Sequence, residues 1–341
     1  MVKATYKKYQ LQFTSPVLTS RGAMQVKNGY YLYLENDGKK GIGECSFIEG
    51  LSKDNLDNYE ATLGAVCVAL QTQTQLPDLT DYPSLQFGLE TALLDLENGG
   101  DHVLFKNAFS AGQQMIPING LVWMGNEAFM LEQIKQKLEG GFRCIKLKVG
   151  ALAFDEECRL LTYIRNRFSP EQIELRLDAN GAFTAADVIR KLETLAQFNI
   201  HSIEQPLKPG QISLMKDLCS HPVIPIALDE ELIHPSLFEK LQIIEQIKPQ
   251  YIILKPGLLG GFKICNALIE KAEAEGIGWW ATSALESNIG LNAIAQWVAG
   301  FKTDMVQGLG TGGLYTNNIT SPLYIQQGKL GYNLQLPWQQ L

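Results

Sequence analysis

Hydrophobic and polar positions change rhythm partway along the chain. At the start they alternate singly. Residues 6–13 have the period of a half-buried strand, and Tyr30-Tyr31-Leu32-Tyr33-Leu34-Glu35 followed by Asn36-Asp37-Gly38 predicts a strand entering a hairpin turn. Residues 40–45 form the expected return strand, and residues 19–24 a polar loop between the first two strands. Helical spacing then takes over at residues 55–71 and 83–97, where Leu85, Leu89, Ala92, Leu93 and Leu96 fall on one stripe. Antiparallel strands followed by helices predict an α+β unit over residues 1–115.

From Ile116 onward, short apolar runs alternate with amphipathic stretches. Strands are expected at residues 116–122, 144–149, 174–177, 200–203, 223–228, 251–254, 277–281 and 304–307. Seven helical stretches lie between them, among them residues 127–138 and 155–167. Thr184-Ala185-Ala186-Asp187 has the form of a capping start for a helix reaching Phe198. Eight strands and seven helices predict an α/β fold, a (β/α)₇β modified TIM barrel over residues 116–313, carrying the N-terminal α+β capping domain. A plain barrel needs about 250 residues, so a chain of 341 leaves room for that smaller domain. The tail, residues 314–341, has no further βα unit and is expected to pack back on the capping domain.

Composition narrows the class of protein. Hydrophobic residues make up 45% of the chain, enough for a large core, and the net charge of −7 is mild and evenly spread. No basic face is concentrated enough to attract nucleic acid or an anionic membrane, and neither partner is expected. The six cysteines are far apart, with no C-x-x-C or Cys/His spacing, and read as reduced core thiols. Met1 to Lys8 contains no apolar signal core, and no run of 18 apolar residues occurs, so a cytoplasmic enzyme is expected. The sequence leaves monomer and homo-oligomer equally open.

The chemistry lies at the ends of the apolar runs. Lys146-Leu147-Lys148, Asp178-Ala179-Asn180, Glu204-Gln205-Pro206, Leu228-Asp229-Glu230 and Leu254-Lys255-Pro256 each close a predicted strand, one βα unit apart. Parallel barrel strands end on one face, so these side chains should converge on one pocket. A single acid at a strand end is usually a helix cap, but Asp178, Glu204 and Asp229 in three consecutive units point to a metal. Three oxygen ligands with no nearby His or Cys favour Mg²⁺, with Mn²⁺ as the alternative. Lys146 and Lys148, two apart on one strand, should both face the lumen, where aliphatic residues are the rule. A lysine crowded by a second amine and a divalent cation has a lowered pKa and can act as a base. Lys255 lies across the barrel from them. Arg176 also points inward, as a strut for the acids or as an anion contact. Such a set suits removal of a proton next to a carboxylate.

Other signals are weaker. Gly308-Leu309-Gly310-Thr311-Gly312-Gly313 lacks the following helix and later acid of a dinucleotide site, and reads as a barrel-end loop near the substrate. Trp279 and Trp280 read as one core-facing and one oppositely facing residue of a strand. Glu230 and Glu231 are candidates for supporting the metal acids or capping a helix. The four histidines share no motif and read as structural.

The series K-x-K, D-x-N, E, D-E, K resembles the enolase superfamily, in its muconate-lactonising branch, over nearly the whole chain. Within that branch, Glu174-Leu175-Arg176-Leu177-Asp178-Ala179-Asn180-Gly181, Thr19-Ser20-Arg21-Gly22 and Thr282-Ser283-Ala284-Leu285-Glu286-Ser287 resemble the o-succinylbenzoate synthase family. The chemistry this resemblance implies is a lysine base with a Mg²⁺-stabilised enediolate. By resemblance, Asp178, Glu204 and Asp229 would bind Mg²⁺. Lys148 would be the base, Lys255 a cation at the opposite face, and Lys146 a hydrogen-bond donor that lowers the pKa of Lys148. Ser20, Arg21, Arg176, Asn180, Ser283, Gly310 and Thr311 would contact a small carboxylate substrate, with the loops at residues 20–24 and 47–52 closing over it. Ser283 and the 308–313 loop would hold a succinyl tail through backbone N–H groups. The implied reaction is dehydration of 2-succinyl-6-hydroxy-2,4-cyclohexadiene-1-carboxylate to o-succinylbenzoate, a step of menaquinone biosynthesis. The alternative is a dipeptide epimerase or N-acylamino-acid racemase with Lys148 and Lys255 as opposed bases. Dipeptide epimerases of the branch carry an Asp-x-Asp pair at strand eight, where this chain has Gly308-Leu309-Gly310.

Overall fold

Period-2 alternation in the first residues produces a three-stranded antiparallel sheet, β1 (Lys3–Thr19), β2 (Gly22–Asn36) and β3 (Lys39–Cys45), in sequential order. The fold is that of a computed structural model describing residues 2–19, 22–234 and 236–341. The first two strands are far longer than the alternation suggested, and most of the expected polar loop is strand. Register slips between Gln12 and Val17, and the pairing then continues from Val17–Met24 to Thr19–Gly22. Two helices, α1 (Tyr59–Thr72) and α2 (Pro83–Asn98), cover this sheet. α2 approaches β3 closely enough that a Cβ on Gly43 would collide with the Gly88 carbonyl. Its Leu85, Leu89 and Ala92 enter the cap's own core, while Phe87 belongs to the barrel's.

The remaining elements alternate. β4 (Ile116–Pro117), β5 (Gly120–Val122), α3 (Glu127–Glu139), β6 (Cys144–Lys148), α4 (Phe154–Arg165), β7 (Glu174–Asp178), α5 (Val188–Ala196), β8 (Ser202–Glu204) and α6 (Ile212–Ser220) come first. β9 (Ile226–Leu228), α7 (Leu237–Ile247), β10 (Tyr251–Leu254), the short α8 (Pro256–Leu259), α9 (Phe262–Ala274), β11 (Gly278–Ala281) and α10 (Asn288–Val298) follow. β5 through β11 form one parallel sheet in sequential order. Residues on alternate positions, such as Ile145 and Leu147, pack into the core against the helices.

Two predicted strands differ. Residues 304–307 form no strand; single parallel bridges from Gln307 to Ile118 and from Gly308 to Thr282 close the barrel in its place. Residues 116–122 divide in two, because Ile116 and Pro117 pair antiparallel with the tail hairpin β12 (Leu323–Gln326) and β13 (Lys329–Tyr332). The helix expected from Thr184 begins later, at Val188, since the Thr184 amide and hydroxyl close a local turn onto Asp187. Beyond the hairpin, Trp338 packs with the cluster of Tyr31, Ile42, Ile289 and Ile319.

Cap and barrel are joined by acids at helix starts. Glu90 of α2 accepts from the Phe262 and Lys263 amides at the first turn of α9. Glu44 of β3 accepts from the Ser287 amide and hydroxyl and from the Gly290 amide at the start of α10. Each carboxylate satisfies amides that a helix leaves unpaired and meets the positive end of its dipole. Among the described residues, no helix is long and apolar enough to cross a membrane.

Candidate active site

Strand alternation sends Lys146 and Lys148 of β6 into the lumen, with Asp178 at the end of β7 as the register partner of Lys148. Glu204 ends β8 opposite Asp178, and Asp229 and Lys255 follow β9 and β10 directly. All five strand-end motifs therefore meet at one end of the barrel. The Lys146 ammonium lies 2.5 Å from Glu204 Oε2 and 3.0 Å from Asp178 Oδ2. Lys148 donates at 2.6 Å both to Asp178 Oδ2 and to Asn180 Oδ1. Lys255 pairs with Asp229 and lies 3.8 Å from Glu204 Oε1. Asn180 in turn donates to Glu230 at 2.8 Å.

Burial shapes the electrostatics. Burial alone would raise Asp178, but Lys146, Lys148 and Lys255 hold it well below the usual carboxylate range. Glu204 is pushed up to about 8 by burial and by the charges of Asp178 and Asp229, against the pull of Lys146 and Lys255. Asp229 is also raised, chiefly by burial, against the pull of Lys255. Lys146 and Lys255 are not lowered by these residues alone. Burial works to lower Lys146 and Lys255, yet Asp178 and Glu204 for the first, and Asp229 and Glu204 for the second, hold both above an ordinary lysine.

Among the described residues, no three acidic, imidazole or thiol side chains already surround a common point as metal ligands. Each acid is turned onto an ammonium instead. The residues nonetheless fit a hard divalent cation. The donors are three buried carboxylates on adjacent strand ends, and Glu204 Oε1 is buried without a hydrogen-bond partner among the described residues. With the acids committed to a cation, Lys146 and Lys255 would lose the counter-charge that holds them up.

A cavity of about 360 Å³ opens over this cluster. Lys146, Lys148, Asp178, Asn180 and Lys255 line its barrel side, along with Ser283, Gly310 and Thr311. Met24, Phe47, Ile48 and Leu51 of the cap line the other side. Ser20 and Arg21 lie outside the described residues. Arg176 is a correction: it is not on the cavity wall. Its guanidinium donates to Glu174 and to the Val306 carbonyl and stacks 4.1 Å from the Trp280 ring, one layer below the acids. Ser283 differs in detail, since its amide donates to the Gly308 carbonyl and its hydroxyl to Glu286, leaving neither as the expected donor to a succinyl tail.

Sequence reasoning missed Gln205. Fully buried at φ 41°, it accepts from the Asp229 and Glu231 amides and donates to the Leu207 carbonyl and Glu231, tying the ends of β8 and β9 together. A non-glycine residue at positive φ beside the acids would have been the signal, but it is a backbone fact absent from composition. Lys27, from β2, was missed too. Lys27 lines the cavity's cap side, its buried ammonium donates to Ser46, and burial lowers its pKa against the nearby acids Glu44, Glu286 and Asp54.

A parallel barrel with acids and lysines at its strand ends under an α+β cap is the architecture of one class of enzymes. The description "Enolase C-terminal domain-like" matches residues 130–331, and "MenC, N-terminal domain" matches residues 1–96. The chain belongs to the enolase superfamily. An o-succinylbenzoate synthase from Desulfotalea psychrophila is 44% identical, over 97% of this chain and 99% of its own. The crystal structure of MenC from the same organism matches with a TM-score of 0.87 at 43% identity, covering 97% of this chain and 99% of that one. The L-Ala-D/L-Glu epimerase from Bacillus subtilis shares the fold, with a TM-score of 0.82 at 18% identity over 98% and 96% of the two chains. Within the superfamily, the chain is a member of the o-succinylbenzoate synthase family.

Proposed function

We propose that this chain dehydrates 2-succinyl-6-hydroxy-2,4-cyclohexadiene-1-carboxylate to o-succinylbenzoate in menaquinone biosynthesis, as a lyase. The observation that carries the mechanism is the placement of Lys148 and Lys255. They project from the second and sixth barrel strands into one cavity, with Asp178, Glu204 and Asp229 between them. Those three acids would hold Mg²⁺, which when bound supplies positive charge to the carboxylate beside the proton to be lost.

The chain's own residues do the rest. The Lys148 amine takes the α-proton and becomes an ammonium. It then gives that proton to the departing hydroxyl on the same face, so that water leaves and the amine is regenerated. The Lys255 ammonium faces the other side and balances the enediolate charge. Lys146, between Asp178 and Glu204, orients both acids. Asn180 fixes Lys148 through its amide oxygen while bonding Glu230 through its nitrogen. The free thiols of all six cysteines fit a reducing compartment, and we place the reaction in the cytoplasm.

The opposed lysines also support a second reading, an N-acylamino-acid racemase or dipeptide epimerase. Against the dipeptide version, the cavity wall at the barrel-closing segment is Gly308, Gly310 and Thr311, with no acid to hold an ammonium. Lys255→Arg separates the readings, because it keeps the charge and removes proton transfer from that face. Steady-state turnover on the cyclohexadiene substrate should persist at a measurable rate, whereas racemisation of N-succinylamino acids should vanish. Loss of both reactions to the same degree contradicts a purely electrostatic Lys255.

A further inference from the structure

Behind the cavity wall, a buried acid outside the catalytic cluster holds a strained loop. Ser283, Ala284 and Leu285 line the cavity after β11, and Leu285 sits at φ 66°, a conformation costly for a branched-chain residue. Such strain persists only where surrounding bonds over-determine it. Here they come from Glu286, which is fully buried. Its Oε2 accepts from the Ser283 hydroxyl at 2.5 Å and from the Ala284 amide at 2.7 Å. The Ser283 oxygen then accepts from the Leu285 amide and from the Thr311 hydroxyl, another cavity residue. The Tyr315 hydroxyl closes the far side by donating to the Leu285 carbonyl.

The space around Glu286 is kept by glycines. A Cβ on Gly257, two residues after Lys255, would stand 2.8 Å from Glu286 Oε1. A Cβ on Gly290 would stand 2.8 Å from the Glu286 Cβ and Cγ. Neither glycine has a positive φ, so what they supply is room for this carboxylate. Lys27 and Glu44 of the cap face the same spot, Glu44 through the amides and hydroxyl at the start of α10.

We propose that Glu286 is a positioning residue for substrate binding: it holds Ser283–Ala284–Leu285 in the strained shape that forms one wall of the cavity, and Gly257 is glycine to leave it room. The proposal rests on the dehydration reading for its substrate. It assigns Glu286 to binding and leaves the proton transfers to the lysines.

Gly257→Ala is the cleanest perturbation, since alanine suits helix α8 and the atom it meets is the far end of a flexible side chain. Displacing the carboxylate should raise KM for the cyclohexadiene substrate about tenfold, the value of one lost buried hydrogen bond, with kcat within about threefold. Gly257→Ala combined with Glu286→Asp, whose shorter side chain makes way, should recover most of that loss. Affinity for the product, read by quenching of Trp123 fluorescence on the cavity wall, should follow KM. Three results overturn the proposal. These are an unchanged KM and product affinity in Gly257→Ala, a fall confined to kcat, and failure of Glu286→Asp to rescue a variant that melts at the wild-type temperature. A wild-type protein that binds o-succinylbenzoate but does not turn the substrate over refutes the dehydration reading and leaves the product-affinity comparison to decide the role of Glu286.

Discussion

The barrel holds two layers of charged side chains, and they are built differently. In the lower layer, Arg176 pairs with Glu174 at 2.6 Å, donates to the Val306 carbonyl and lies on Trp280. Glu174 also accepts from the Cys144 thiol. One strand pitch above, three acids and three amines crowd together, Glu204 Oε1 has no hydrogen-bond partner among the described residues, and burial raises Glu204 to about 8. A layer that exists for the fold satisfies its charges locally. The upper layer holds its charges in a form that a cation and a substrate would complete, which is the mark of a site.

Breaking each layer should therefore have a different consequence. Lys148→Ala should fold normally and lose turnover by about a thousandfold, the usual weight of a general base. Steady-state kinetics beside a thermal melt checks both halves, and substantial remaining activity removes Lys148 from the base role. Arg176→Met should do the reverse. Losing the bonds of the buried Arg176 guanidinium to the half-buried Glu174 and to the Val306 carbonyl should cost about 1–3 kcal/mol in denaturant unfolding, while activity measured well below the melt changes little. A large fall in kcat with intact stability would move Arg176 into the upper layer.

A further buried acid lies in the cap, outside both layers. Asp54 is pushed up to about 6 by burial, although the Ser84 amide and hydroxyl bond it and work the other way. Its folded pKa exceeds its unfolded one, so the folded state binds the extra proton. Stability from this group is present below about pH 4 and is lost as pH rises through 6. Asp54→Asn should flatten that slope, with a difference of up to about 3 kcal/mol between the two ends. Parallel pH profiles of unfolding for the two proteins would show that burial alone does not govern Asp54.

Much of the site was legible because period-2 alternation fixes direction. Lys146 and Lys148 share a face of β6, and one βα unit between motifs fixes the shared end of the barrel. Alternation does not fix height. Arg176 points inward like Asp178 but lies about 7 Å lower, where it meets Glu174 instead of a ligand. The eighth strand was over-read: the stretch at residues 304–307 looks like a strand, but only two bridges, at Gln307 and Gly308, close the barrel there. Lys27, Glu44 and Glu286 are brought together only when cap and barrel dock, and their spacing in sequence carries no trace of that contact. The long β1–β2 hairpin was underestimated because Ser15-Pro16 and Lys27-Asn28-Gly29 interrupt the alternation, and the register slips between Gln12 and Val17.

The proposed function makes the upper layer a Mg²⁺-assisted proton-abstraction site. Its most direct test is turnover of 2-succinyl-6-hydroxy-2,4-cyclohexadiene-1-carboxylate by chelator-treated protein, followed by ultraviolet absorbance as Mg²⁺ is added back. Dehydration should be near zero without metal and return saturably with it. Equal rates with chelator and with Mg²⁺, or no dehydration at any metal concentration, would contradict that function.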